Sequence, residues 1–245
     1  MNQKQIFQLS LFVVFVFMLI LAGWFYSGQY KDKAQAASVS AQKEKAEEAR
    51  AQAVRDKERG YDYIMAEDNL GQNKKAKVDY YMLALSWSPA FCETQRKRYG
   101  DNLPDSLQRQ CGSENTFGWV IHGLWPQSKT ARKAEDHPRF CQGDLPPVEH
   151  SLIEKYLAQS PSENLLQGQW EKHGACAFNS AEDYFSKQRE LYGQLNLPTK
   201  TADRKNLFTW LKKNNPRLKG IYLKATRNEL FICYDLRWKI ISCPK

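Results

Sequence analysis

Two short stretches set an imidazole directly before a glycine and close to tryptophan. Trp119–Gln127 reads WVIHGLWPQ and carries His122; Gly168–Ala177 reads GQWEKHGACA and carries His173. With an unperturbed pKa of about 6.5, two histidines can hold opposite protonation states near neutrality, which coupled general acid and base work requires. Lys172, beside His173, adds fixed positive charge for a developing anion. On a helix, Gln169 and His173 fall four residues apart on one face, with Lys172 at the i+3 position from Gln169. Glu171 then points elsewhere. An amide, an ammonium and an imidazole would face a single cleft. RNA suits such a set, because its ribose 2′-OH is a nucleophile placed beside the scissile phosphate. A base takes the 2′ proton, an acid protonates the leaving 5′ oxygen, and a cation meets the charge in between. This chemistry requires no metal, and the sequence has neither a CxxC pair nor an HExxH motif. A histidine in an apolar strand is more often a hydrogen-bonded core residue. His137 and His150 are read that way, and for His122 and His173 the residues alone leave both readings open.

Positioning these side chains falls to mixed elements. Asp79–Ser88 (DYYMLALSWS) is an aromatic and aliphatic run ended by Ser-Pro, and FGWVIHGLWP is a second run closed by Pro126; both predict buried strands. Ser180–Leu195 opens on a Ser cap and puts Tyr184, Phe185, Leu191, Tyr192 and Leu195 on one helical face; Thr201–Asn215 predicts another helix. GIYLKATR, ELFICYDL and KIISCPK predict three strands of an antiparallel meander. Strands and helices that do not alternate regularly indicate an α+β fold with a central antiparallel sheet and several helices.

The 245 residues divide into three parts. Ile6–Tyr26 has no charged residue and is long enough to cross a bilayer as a helix. A cleaved signal peptide is the rival reading, with AQA at Ala34–Ala36 as its cleavage site. Residues 1–30 are thus an anchor or signal. Residues 31–77 form an Ala-rich charged stalk, because Lys33–Gly60 lacks a 3.6-period apolar stripe; whether Tyr61–Asp68 packs on the domain stays open. The compact domain is expected over Val78–Lys245. All six cysteines follow the apolar segment, and an even count in an exported domain indicates disulfides in an oxidising compartment. The domain is then extracytoplasmic, in the periplasm of a Gram-negative cell, and secreted if the segment is cut. A net charge of +9 favours a polyanionic partner such as RNA or an anionic membrane face.

At the two His-Gly stretches the chain resembles the ribonuclease T2 family, in a membrane-anchored form. WVIHGLWP is similar to the family's first motif at His122, Gly123, Leu124, Trp125 and Pro126. GQWEKHGAC is similar to its second, HEWxKHGTC, at Trp170, Lys172, His173, Gly174 and Cys176. The resemblance implies disulfides Cys92–Cys111, Cys141–Cys176 and Cys233–Cys243. It also implies a cofactor-free endoribonuclease of low base specificity that forms 2′,3′-cyclic phosphates and then 3′-phosphates. His122 would be the acid, His173 the base, and Lys172 the transition-state cation. Trp125 would wall a base site, with Trp87 and Trp170 as further substrate contacts. Two departures stand out: the family's glutamate falls on Gln169 and its second-motif histidine on Gly168. They predict a slower enzyme, and they motivate the alternative of a weak or inactive RNA- or protein-binding member of the same fold.

Overall fold

The computed structural model describes residues 60–112 (except 101), 116–199 and 204–244, with scattered positions between 18 and 54. Two units separate at residue 55. In the first, the described positions between 39 and 54 are helical and exposed. Among the described residues no helix is long and apolar enough to cross a membrane. The Ile6–Tyr26 segment lies outside them, Met18 excepted.

The second unit is built on a five-stranded antiparallel sheet. Its main path is β2 (Trp119–Gln127), β1 (Tyr80–Trp87), β4 (Glu229–Tyr234), β3 (Lys224–Ala225), and β5 (Ile240–Ile241) also pairs with β4. The meander expectation fails in one respect. Because β1 occupies one edge of β4, β3 and β5 share the other, at different heights. Helices α1 (Ser88–Tyr99) and α2 (Asp105–Cys111) follow β1. The Ser-Pro pair ending that strand begins α1, since proline in the first helical turn forfeits no intrahelical bond. Downstream come α3 (His150–Glu154), α4 (Glu163–Lys172), α5 (Ala181–Gly193) and α6 (Arg204–Asn214). Ser162 and Ser180 cap α4 and α5 by accepting the amides of Leu165 and Asp183.

Strand alternation sorts the sheet into two faces. Leu83 and Leu85, Ile121 and Leu124, and Leu230, Ile232 and Tyr234 turn to the main core. There they meet Leu166 and Trp170 of α4, Tyr184 and Phe185 of α5, and Leu211 of α6. The opposite face carries Met82, His122, Trp125 and Phe231, the side chains that concern the site. One irregularity makes this possible. Ala84 pairs with Gly123 and Leu85 with Ile121, so His122 is the unpaired residue of a β-bulge. In a regular strand, residues three apart face opposite ways. The bulge resets the phase, so Ile121 and Leu124 both enter the core while His122 and Trp125 share the other face.

Cys92–Cys111 ties α1 to α2, Cys141–Cys176 fastens the loop before α3 to the turn after α4, and Cys233–Cys243 closes the last strands. The packed unit starts earlier than Val78. Tyr61 is 1% exposed within the core, and its hydroxyl donates to the Val148 carbonyl. Asn73 exchanges two backbone hydrogen bonds with Arg139. Residues 61–73 are therefore a strap laid on the domain rather than part of a solvated stalk.

Candidate active site

His122 and His173 line one cavity of about 420 Å³. The Trp125 indole adjoins both, 5.2 Å from the His122 ring and 5.6 Å from the His173 ring, centroid to centroid. Gln169 fixes that indole by accepting its Nε1–H at 2.7 Å. A Cβ on Gly123 would lie 2.0 Å from Gln169 Oε1 and 2.6 Å from Trp125 Nε1. A Cβ on Gly174 would lie 2.6 Å from Trp170 and 2.7 Å from Tyr184. Each glycine after a histidine thus marks a place where backbone and aromatic side chain meet too closely for any other residue.

Each imidazole has a distinct environment. His122 is partly exposed, and its Nδ1 lies 2.6 Å from Glu229 Oε1. An ionised carboxylate only accepts, so Nδ1 carries a proton and Nε2 is the nitrogen left to exchange one with a bound group. His173 follows the last residue of α4, its amide still donating to the Gln169 carbonyl at 3.0 Å. Its Nδ1 is buried and has no hydrogen-bond partner. Burial holds this imidazole well below the usual histidine range, and the charges of Arg139, Lys172 and His122 add to the effect against the pull of Asp68. His173 is therefore neutral at pH 7.

Lys172 Nζ is 2.6 Å from Asp68 Oδ2 and donates to the Tyr63 hydroxyl at 3.1 Å. It also sits over the Tyr63 and Phe140 rings, 4.9 and 5.7 Å from their centroids. Asp68 binds Arg139 Nη2 at 2.6 Å through its other oxygen. Burial opposes ionisation of Asp68, yet hydrogen bonds from Lys172, the Leu70 amide and Arg139 hold its carboxyl well below the usual carboxylate range.

Of the residues read from the sequence, His122, Trp125, Gln169, Lys172 and His173 converge on the cavity. Trp170 does not. It is buried between sheet and helix, packed on Tyr184, because the flank of α4 that it shares with Leu166 belongs to the core. Trp87 packs on Trp119 at the end of the strand pair and lines neither cavity beside His122. Glu171 points away from the site, as expected, but into the interior, where it accepts from the Leu145 amide and Gln167 Nε2. His150 pairs with Glu154 and Glu163 away from the cavity. His137, by contrast, lines it and accepts the Ser128 amide through Nδ1. The residues that sequence reasoning missed are Glu229, Asp68, Arg139 and Tyr63. None sits in a motif, and only strand pairing and the strap bring them in. Among the described residues no group of three or more His, Cys, Asp and Glu could hold a metal ion.

Comparison with known proteins bears on the whole assembly. The model described as "Ribonuclease T2 family" matches residues 78–226. A "Probable ribonuclease" of Haemophilus influenzae is 61% identical over 183 residues, covering 75% of this chain and 67% of that protein. A "Ribonuclease" of Aeromonas hydrophila is 28% identical over 142 residues, covering 56% and 58%. Among solved structures, an RNase-related protein from Calystegia sepium superimposes with a TM-score of 0.52 at 21% identity, covering 69% of this chain and 92% of that one. That likeness speaks for the fold. By family match and relatives together, the chain belongs to the ribonuclease T2 family.

Proposed function

We propose that the chain is a metal-independent endoribonuclease acting by 2′-OH transesterification, with His173 as base and His122 as acid. The observation that carries this reading is the pair of imidazoles lining one cavity, each in ring contact with Trp125. A base must be neutral, and burial keeps His173 so. An acid must be held with one nitrogen free, and Glu229 holds His122 by Nδ1. The base takes the 2′ proton, the 2′ oxygen bonds to phosphorus, and the 5′ oxygen leaves with a proton from His122. Hydrolysis of the resulting 2′,3′-cyclic phosphate exchanges the roles. Lys172 and Arg139 meet the phosphate charge, an electrostatic contribution that is commonly the largest single one.

His122 also borders a second cavity of about 510 Å³, lined in part by Phe91, Val120 and Glu229. Cavities meeting at the acid support binding of one nucleoside on each side of the scissile phosphate. Trp125 offers an indole wall, and stacking tolerates every base, which supports low base specificity. The uncharged Ile6–Tyr26 segment and three disulfides support a membrane-tethered, extracytoplasmic enzyme. Fractionation of cells, with sequencing of the mature N-terminus, tests the tether: a soluble protein lacking residues 1–36 would replace it with a secreted form. The nuclease reading is tested by incubating purified protein with single-stranded RNA in EDTA. Products ending in 2′,3′-cyclic phosphate, abolished by His122→Ala, are expected. Absence of cleavage would instead favour a binding protein built on this fold.

A further inference from the structure

The strap contributes to the site itself. Its segment 61–73 lies outside the residues matched by the family model, which begin at 78. Yet Asp68 is the carboxylate among the described residues lining the cavity shared by His122 and His173. Asp68 is 8% exposed at its side chain and reaches Lys172 and Arg139 with one oxygen each, both at 2.6 Å. Tyr63 closes a triangle: its hydroxyl accepts from Lys172 at 3.1 Å and donates to Asp68 Oδ2 at 3.2 Å. The Tyr63 ring occupies the hollow above Gly168, where a Cβ would come within 2.8 Å of it. Positions 168 and 169, where α4 lacks a ring and a carboxylate, are thus the positions against which the strap sets an aromatic ring and near which it sets a carboxylate.

We infer that Asp68, steadied by Tyr63, is the positioning residue for Lys172 in catalysis, supplied to the site by the segment preceding the family module. Two cations side by side would repel; Asp68 between Lys172 and Arg139 holds both in place and leaves a net positive charge for the phosphate. The strap forms a wall of the cavity and does not plug it, since His122, Lys172 and His173 all line the remaining space. This inference rests on the nuclease reading above.

The test uses the full chain and steady-state cleavage of a short RNA oligonucleotide. Asp68→Asn should lower kcat tenfold to a hundredfold, as estimated for loss of a charge-assisted contact, with KM changing less than about threefold. In a Lys172→Ala background the same substitution should cost kcat at least about threefold less, because only the contact of the carboxylate with Arg139 then remains to be lost. Adding Gln169→Glu to Asp68→Asn should return part of the loss. An equal loss in both backgrounds, a loss confined to KM, no loss, or a gain in kcat overturns the assignment. Should Asp68→Asn be unfolded by circular dichroism, Tyr63→Phe takes its place. It keeps the ring over Gly168 and should lower kcat about three- to tenfold only when Lys172 is present. If wild type cleaves and His122→Ala does not, while these variants match wild type, Asp68 alone is excluded. If wild type does not cleave, the nuclease reading falls and the inference with it.

Discussion

Replacing Gly123 by alanine tests the geometry of the site with a single methyl group. The added carbon would stand 2.0 Å from Gln169 Oε1 and 2.6 Å from Trp125 Nε1. The Gln169 amide must therefore swing away, and the 2.7 Å hydrogen bond from the indole is lost. An unsatisfied indole N–H costs about 1–3 kcal/mol, and forcing a methyl into a filled space about 1–3 more. The lower backbone entropy of alanine returns up to about 1 kcal/mol. The net is a destabilisation of about 1–6 kcal/mol. Activity should suffer as well, because Trp125 contacts both imidazoles, and a displacement of about 1 Å in a reacting constellation can cost on the order of a hundredfold. Urea denaturation followed by tryptophan fluorescence reads the first quantity, and cleavage of a short RNA reads the second. Gly193→Ala is the control, since nothing lies within 4 Å of its added carbon. Adding Gln169→Ala to Gly123→Ala should recover part of the stability by removing the obstructing amide. A Gly123→Ala protein with wild-type stability and rate would refute the reasoning.

Three further outcomes are expected. Glu229→Gln weakens the 2.6 Å hold on His122, so kcat should fall roughly ten- to a hundredfold with little change in unfolding midpoint; an unaltered rate would remove Glu229 from the site. The pair Cys141→Ser and Cys176→Ser opens a link spanning 35 residues, worth about 4 kcal/mol by loop-closure entropy. It should also lower activity, because the link lies three residues beyond His173; a denaturation curve superimposable on wild type would contradict this. Burial raises the Glu171 carboxyl from 4.5 to about 7. The folded state then binds this proton more tightly than the unfolded one, so the contribution of Glu171 to stability declines as pH rises from about 4.5 to 7, by about 3 kcal/mol. Buried neutral His173 acts in the opposite sense, costing stability as pH falls below its ordinary value. Glu171→Gln should therefore look more favourable relative to wild type at pH 8 than at pH 4.5, and a difference independent of pH would discount the effect.

Local patterns reveal part of this site and hide the rest for identifiable reasons. His122, Lys172, His173 and Trp125 are legible because they fall in two compact motifs, and Gln169 because helical spacing sets it beside them. The cap Ser180 is legible too, because it starts its helix by a bond three residues long. Glu229 is illegible at 107 residues from His122, since its place depends on which edge of β1 the late strand selects. The bulge at His122 hides in the same way. A glycine within a strand hints at an irregularity, but its phase depends on β1. Trp170 departs from its expected substrate contact because neighbours on a helix point about 100° apart, and its direction leads into the core. The sequence leaves the packing of Tyr61–Asp68 open, because nothing near Asp68 announces Lys172 and Arg139 as its partners.

The placement of the Tyr63 ring over Gly168 bears on where this protein can be cut. A fragment starting at residue 78 would keep every recognisable signature and both imidazoles. It would also leave a bare notch above the helix and two like charges without their shared counter-ion. On the inference that Asp68 positions Lys172, the smallest competent piece is longer than its motifs advertise, and inactivity of a trimmed fragment would say nothing against the parent chain.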